Sequence, residues 1–249
     1  MKKSELAGNF AEKIDIGKVR KTNEDRSLAA VNAYGDVILA VCDGMGGENK
    51  GDLAASLTIE TIDELFRKVK RFKKSWNAKK FIKKCFKVSN KIVFNESNTH
   101  EVYKNMGTCV SIAIISENFL VTGQMGDTRI YWLDNGKLQQ LTTDHNLAMR
   151  EFRMGNITKE EIPTYKNRHV LTNVLGIHKE AASDVEEYEY HGESVFVCSD
   201  GLYNNVSEIE LESILKGNDS TSQKVNELIN LANANGGSDN IAAVLWETK

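Results

Sequence analysis

The sequence predicts an α+β fold, a layered sandwich of mostly antiparallel strands and paired helices, from two observations. The turns between strand candidates are too short for crossover helices, and the helical patterns come in adjacent pairs instead of following every strand. A chain of 249 residues with 41% hydrophobic content can bury one substantial core or two modest ones. No repeat, low-complexity tract or Gly/Ser/Pro linker divides it, and its one proline is Pro163, so a single domain over 1–249 is expected.

The first ten residues carry positive charge without an apolar stretch behind it, which argues against a secretory signal. Strand signals follow at 26–32 and 37–42, joined by the turn Ala33-Tyr34-Gly35-Asp36. Two amphipathic helices come next. The first is marked by Leu53, Leu57, Ile62, Leu65, Phe66 and Val69; the second by Phe81, Ile82, Cys85, Phe86, Ile92 and Val93. Further strands are expected at 109–115, 119–125, 130–133, 185–190, 195–198 and 241–246, with tight connections at Glu117-Asn118 and Asp134-Asn135-Gly136. Ser207 with Glu210, and Ser220 with Gln223, are capping boxes that open two more helices.

Composition excludes several classes. A formal net charge of -3 gives no pull toward nucleic acid or an anionic membrane, and no apolar run approaches a membrane span. Cys42, Cys85, Cys109 and Cys198 are far apart and contain no C-x-x-C, so reduced buried thiols are expected instead of a zinc knot or a disulfide framework. The five histidines show no metal-binding spacing. A soluble cytoplasmic protein is the expectation.

The chemistry gathers where strands end. Apolar runs stop at or beside a Gly-flanked carboxylate in Cys42-Asp43-Gly44, Met125-Gly126-Asp127 and Ser199-Asp200-Gly201, and Asp239 stands just before the last strand. In an antiparallel sheet the end of one strand and the start of its neighbour share an edge, so these carboxylates can converge. If 26–32 pairs with 37–42, Glu24 and Asp25 must face Asp43. Carboxylates so close repel unless cations neutralise them, and all-oxygen ligation suits magnesium or manganese. Asp-Gly is also a common turn dipeptide, so the ordered combination carries the reading.

That combination resembles the type 2C metal-dependent Ser/Thr protein phosphatases in their compact bacterial form. The resemblance rests on Arg20-Lys21-Thr22-Asn23-Glu24-Asp25-Arg26, Asp43-Gly44-Met45-Gly46-Gly47, Met106-Gly107-Thr108, Gly126-Asp127-Thr128-Arg129, Thr143-Asp144-His145, Leu171-Thr172-Asn173-Val174-Leu175-Gly176, Cys198-Ser199-Asp200-Gly201-Leu202 and Gly237-Ser238-Asp239-Asn240. It implies a four-layer α/β/β/α sandwich, two mostly antiparallel sheets flanked by helices, with two to three Mn2+ or Mg2+ in a cleft at one sheet edge. It further implies that Asp43 bridges two metals, that Asp200 and Asp239 complete one site, and that Glu24 with the Gly44 carbonyl serves the other. Asp127, with Asp200, would hold a third, weaker ion. Asp25 and Asn240 would stand behind the ligands, and Arg20 would bind the substrate phosphate through its guanidinium fork.

The implied activity is hydrolysis of phosphoserine and phosphothreonine in proteins by a metal-activated water. Its partners would be phosphorylated proteins, including a cognate Ser/Thr kinase, and the enzyme would act as a monomer. No protein nucleophile is needed. No cysteine is followed six positions later by arginine, there is no G-x-S-x-G, and Gly46-x-x-x-x-Gly51 does not continue into Lys-Ser/Thr. Two alternatives stay open: a phosphatase of a small phosphorylated metabolite, and a non-catalytic phosphoprotein-binding module of the same fold. The sequence departs from the family pattern at Met45, where many eukaryotic members carry histidine, at Glu48, and at Cys109, a usual threonine; the last two are expected to be tolerated. Residues 146–167 read as a surface loop with one helical turn and occupy the position of the family's flap. The basic block 67–87 either solvates two helices or guides an acidic partner, and solvation is the preferred reading.

Overall fold

A computed structural model describes residues 6–46 and 50–248. The expectations for Gly47 and Glu48 lie outside the described residues. The strands are β1 (Gly8–Asp15), β2 (Asp25–Val31), β3 (Val37–Met45), β4 (Gly107–Ser116), β5 (Phe119–Met125), β6 (Arg129–Asp134), β7 (Lys137–Gln140), β8 (Asp184–Glu189), β9 (Ser194–Cys198) and β10 (Ile241–Thr248). The helices are α1 (Lys50–Arg67), α2 (Ser75–Ser97), α3 (Leu147–Arg153), α4 (Asp200–Tyr203), α5 (Glu208–Lys216) and α6 (Thr221–Ala234).

One five-stranded sheet runs β1-β10-β9-β6-β7 and the other β2-β3-β4-β5-β8. Every strand pairing in them is antiparallel. The alternation of side chains along each strand builds the layers. In β3, Val37, Leu39 and Val41 face the other sheet, where they meet Val197, Val244 and Trp246. Ile38, Ala40 and Cys42 point the other way, into the apolar faces of α1 and α2. On the far side, Phe196, Cys198 and Leu245 pack against Leu211, Val225 and Leu228 of α5 and α6. Both faces of each sheet are thus covered, which is the four-layer sandwich expected. All four cysteines are free and buried.

The capping boxes of α5 and α6 form as read: the Ser207 and Ser220 hydroxyls accept from the backbone N–H groups of Glu210 and Gln223. Two strands escaped the sequence reading, β1 and the four-residue β7. Both are edge strands with mostly polar or half-exposed side chains, so neither carries an apolar signal. The flap holds more regular structure than a loop with one turn, namely α3 and a short 3-10 helix, Lys159–Thr164.

Candidate active site

The hairpin β2–β3 pairs Asp25 with Asp43, and the Gly44 N–H donates to the Glu24 carbonyl at 3.2 Å. The expected confrontation of Glu24 and Asp25 with Asp43 is therefore present. β3 also pairs with β4, placing Cys109 opposite Asp43. Gly44 is required here because a Cβ on it would lie 2.1 Å from the Gly51 carbonyl oxygen, where α1 crosses the strand end. Asp127 follows β5 through Gly126, whose φ of 102° suits a residue without Cβ. Asp200 opens α4 directly after β9, and Asp239 precedes β10.

These connections bring Arg20, Glu24, Asp43, Gly44, Asp127, Asp200, Asp239 and Asn240 around one cavity of about 660 Å³, at the edge where both sheets end. Asp25 lies behind it, fully buried, accepting from the Ser199 hydroxyl at 2.6 Å. Asn240 acts as a clamp. Its carboxamide donates to the carbonyls of Ile16 and Thr22 and accepts from the Glu24 N–H, so it fixes the segment carrying Arg20 and Glu24 against the start of β10. The Cys109 thiol donates to Asp127 Oδ1 at 3.2 Å, which explains why a thiol serves where threonine is usual. Tyr203 donates to the Asp127 carbonyl, and its ring carries the Arg129 guanidinium at 3.6 Å. Arg129 is in turn paired with Asp144 at 2.7 Å.

Burial and mutual repulsion dominate the electrostatics. Asp43 keeps part of its surface open to the cavity yet lies deep among protein atoms. Desolvation, then the charges of Asp25, Asp200, Asp127 and Asp239, push its carboxyl well above the ordinary range. Asp200 is raised in the same way, by burial and then by Asp127, Asp239 and Asp25. Burial, with Asp239 adding, lifts Asp25 to about 7; burial, with Asp144 adding, lifts Asp127 to about 6. Asp239 is turned onto Arg20, Nη2 to Oδ2 at 2.7 Å. Among the described residues, no three acidic, histidine or cysteine side chains are drawn tightly enough to hold a metal as they stand. The carboxylates line a common cavity instead. An all-oxygen donor set under strong like-charge repulsion fits hard divalent cations, which relieve that repulsion on binding.

Sequence reasoning missed Arg168, His169 and Asn204, which also line the cavity. Asn204 donates to Asp200 Oδ2 at 3.1 Å. Arg168 and His169 are the two residues directly after the expected flap, in a polar stretch without periodicity that offered no signal.

Fold and site define a class: a four-layer sandwich whose two sheets end at an acidic cleft with an arginine at its mouth. The profile of the protein phosphatase 2C family matches residues 18–246, and the chain belongs to that family. The serine/threonine phosphatase stp of Listeria monocytogenes is 32% identical over 94% of this chain and 93% of its own length. The crystal structure of serine/threonine phosphatase Stp1 from Staphylococcus aureus superposes with a TM-score of 0.92 at 25% identity, covering 100% of this chain and 99% of that one. The catalytic domain of serine threonine protein phosphatase PstP, solved in complex with 2 manganese ions, superposes with a TM-score of 0.84 at 26% identity over 96% of this chain and 97% of its own. The resemblance read from the eight motifs is thereby borne out.

Proposed function

We propose that the chain hydrolyses phosphoserine and phosphothreonine in proteins, using Mn2+ or Mg2+ held in the acidic cleft. One observation carries this reading: Arg20, Glu24, Asp43, Gly44, Asp127, Asp200 and Asp239, drawn from distant parts of the chain, line a single cavity. The family match and the manganese-bound relative support it. In this assignment Asp43 would be shared between two cations, Glu24 and the Gly44 carbonyl would help hold one, Asp200 and Asp239 the other, and Asp127 with Asp200 would hold a weaker third.

Cations bound there supply positive charge that polarises the phosphate and acidifies a water. The rest falls to the chain's own residues. Arg20, half exposed at the mouth, exchanges its hold on Asp239 for two oxygens of the substrate phosphate, and its planar fork sets the orientation of the phosphorus. Asp25 and Asn240 keep the strand ends in register while those side chains move. Met45 lines the cavity and carries no ionisable proton, so it cannot protonate the leaving alkoxide, which leaves that step to a water or a metal-bound group.

The same reading makes 1–249 one catalytic domain, a cytoplasmic monomer acting on phosphoproteins, among them a cognate Ser/Thr kinase. Among the described residues no helix is long and apolar enough to cross a membrane. The test compares a phosphothreonine peptide with small phosphoesters, with manganese and after exhaustive chelation. Cation-dependent turnover that favours the peptide is expected. Full activity after chelation would overturn the metal mechanism, and higher efficiency on one small metabolite would overturn the protein substrate.

A further inference from the structure

The basic block 67–87 holds some of its cations in contacts and leaves others, Lys70, Lys73, Lys74 and Lys84 among them, outside any ion pair among the described residues. Arg67 pairs with Asp63, Arg71 with Glu117 and Lys79 with Glu187, while Lys80 lies 4.2 Å from the centre of the Trp76 ring. These serve the fold's own surface. Lys83, Lys87 and, just beyond the block, Lys91 are set apart by their placement along one groove. They recur every fourth residue on α2, forming one exposed stripe about 12 Å long at a rise of about 1.5 Å per residue. None of them is ion-paired among the described residues. Like charges at this spacing destabilise a helix, and no acidic partner within the described fold offsets the cost.

The stripe lines a groove of about 520 Å³ that Lys179 completes from the opposite wall, with Phe86 and Phe94 also in its lining. Glu180 is the one carboxylate in that lining. The far wall is firmly attached. Asn90, buried on α2, donates to the carbonyls of His178 and Lys179 at 2.9 and 3.1 Å and accepts from the Gly176 N–H at 2.8 Å.

The far wall of the groove follows in sequence directly on a segment that reaches the catalytic cleft. Met45, His169 and Leu171 line both the cleft and a second cavity of about 440 Å³, which continues to Ile177 and His178. Lys179, the next residue, opens the lysine groove. The chain from 168 to 179 thus contributes in turn to the linings of the cleft, the second cavity and the groove. The cleft lining carries Glu24, Asp43, Asp127, Asp200 and Asp239 and no lysine, so a lysine surface for an acidic substrate segment lies outside it.

We propose that Lys83, Lys87, Lys91 and Lys179 dock an acidic stretch of the phosphoprotein substrate while its phosphoresidue sits in the cleft. The proposal rests on the phosphatase reading above and names the substrate class, a phosphoprotein with an acidic flank. Matched phosphothreonine peptides, neutral or carrying an acidic block moved stepwise along either flank, test it with wild type, K83E/K87E/K91E and K179E. Binding of a fluorescent, unphosphorylated acidic peptide is measured in parallel.

In wild type the acidic phosphopeptide is expected to have the higher kcat/KM at one preferred spacing, with the advantage lost in high salt. The triple variant should lose about tenfold in peptide affinity and raise KM for the acidic substrate by a similar factor. Its kcat, and its turnover of the neutral peptide and of p-nitrophenyl phosphate, should not change. K179E should shift the same parameter less. If the acidic preference persists in both variants, or all substrates lose equally, the docking site is refuted. Tighter binding of phosphatidylserine vesicles or duplex DNA than of the peptide, reversed by the same variants, would refute it too. If no substrate turns over but lysine-dependent peptide binding remains, the phosphatase reading falls and the docking site stands.

Discussion

Asp25 and Asp127 are ionisable groups that the fold holds away from their ordinary behaviour, at about 7 and about 6 against 3.8. Because the folded values are raised, the folded protein binds these protons more tightly than the unfolded chain. The stabilisation is complete below the unfolded value and is lost as pH rises through the folded values. In chelator, therefore, the melting temperature should fall as pH rises from about 5 to about 7.5, and Asp25→Asn should flatten that slope. An unchanged slope in the variant would show that Asp25 does not titrate as described. Asp127 is also the residue assigned to the weak third cation. Asp127→Asn should lower turnover by roughly 10²-fold, in the range seen when one electrostatic stabiliser is removed, while two tighter sites remain in calorimetry. Loss of the tight sites would reassign it.

At the scale of elements, β3 connects packing to chemistry. Leu39, wholly buried between the sheets, should cost about 2–5 kcal/mol on truncation to alanine, read by denaturant unfolding. Its loss should leave manganese affinity nearly intact, since the carboxylates stand at the strand's end and Leu39 lies in its middle. β3 was legible because 37–42 is an unbroken apolar run, and α1 and α2 because their apolar residues keep a helical period. β1 was not: Glu12 and Lys13 interrupt it, Phe10 and Ile14 remain partly exposed, and it pairs on one side only. The same contrast holds in the site. Asp43, Asp127 and Asp200 flank glycines at or just past strand ends, and Asp239 stands just before a strand, all local patterns in the sequence. Arg168 and His169 reach the cleft only because the path from 168 to 179 bends along it, and nothing in their neighbours encodes that. Asn240 stood beside a visible motif, but its clamp on Ile16 and Thr22 spans more than 200 positions and exists only in the folded chain.

Across the whole molecule, stability and function occupy different regions. Apolar contacts between the sheets and beneath the two helix layers hold the sandwich. The rim gathers carboxylates that repel one another and weaken the fold until cations neutralise them. Ligands that prefer the folded state add stability in proportion to RT ln(1 + [L]/Kd), so the cost at the rim is recovered on binding. In the proposed assignment Asp43 is the pivot of that exchange, and its carboxylate lies at the end of the strand whose packing Val37 to Val41 provide. The most direct test is thermal melting of wild type and Asp43→Asn, each in chelator and in saturating manganese. Manganese should raise the melting temperature of wild type and barely move that of the variant, and in chelator the variant should melt at or above wild type. A variant that melts far below wild type in chelator would make Asp43 a structural residue and contradict the assignment of this cleft.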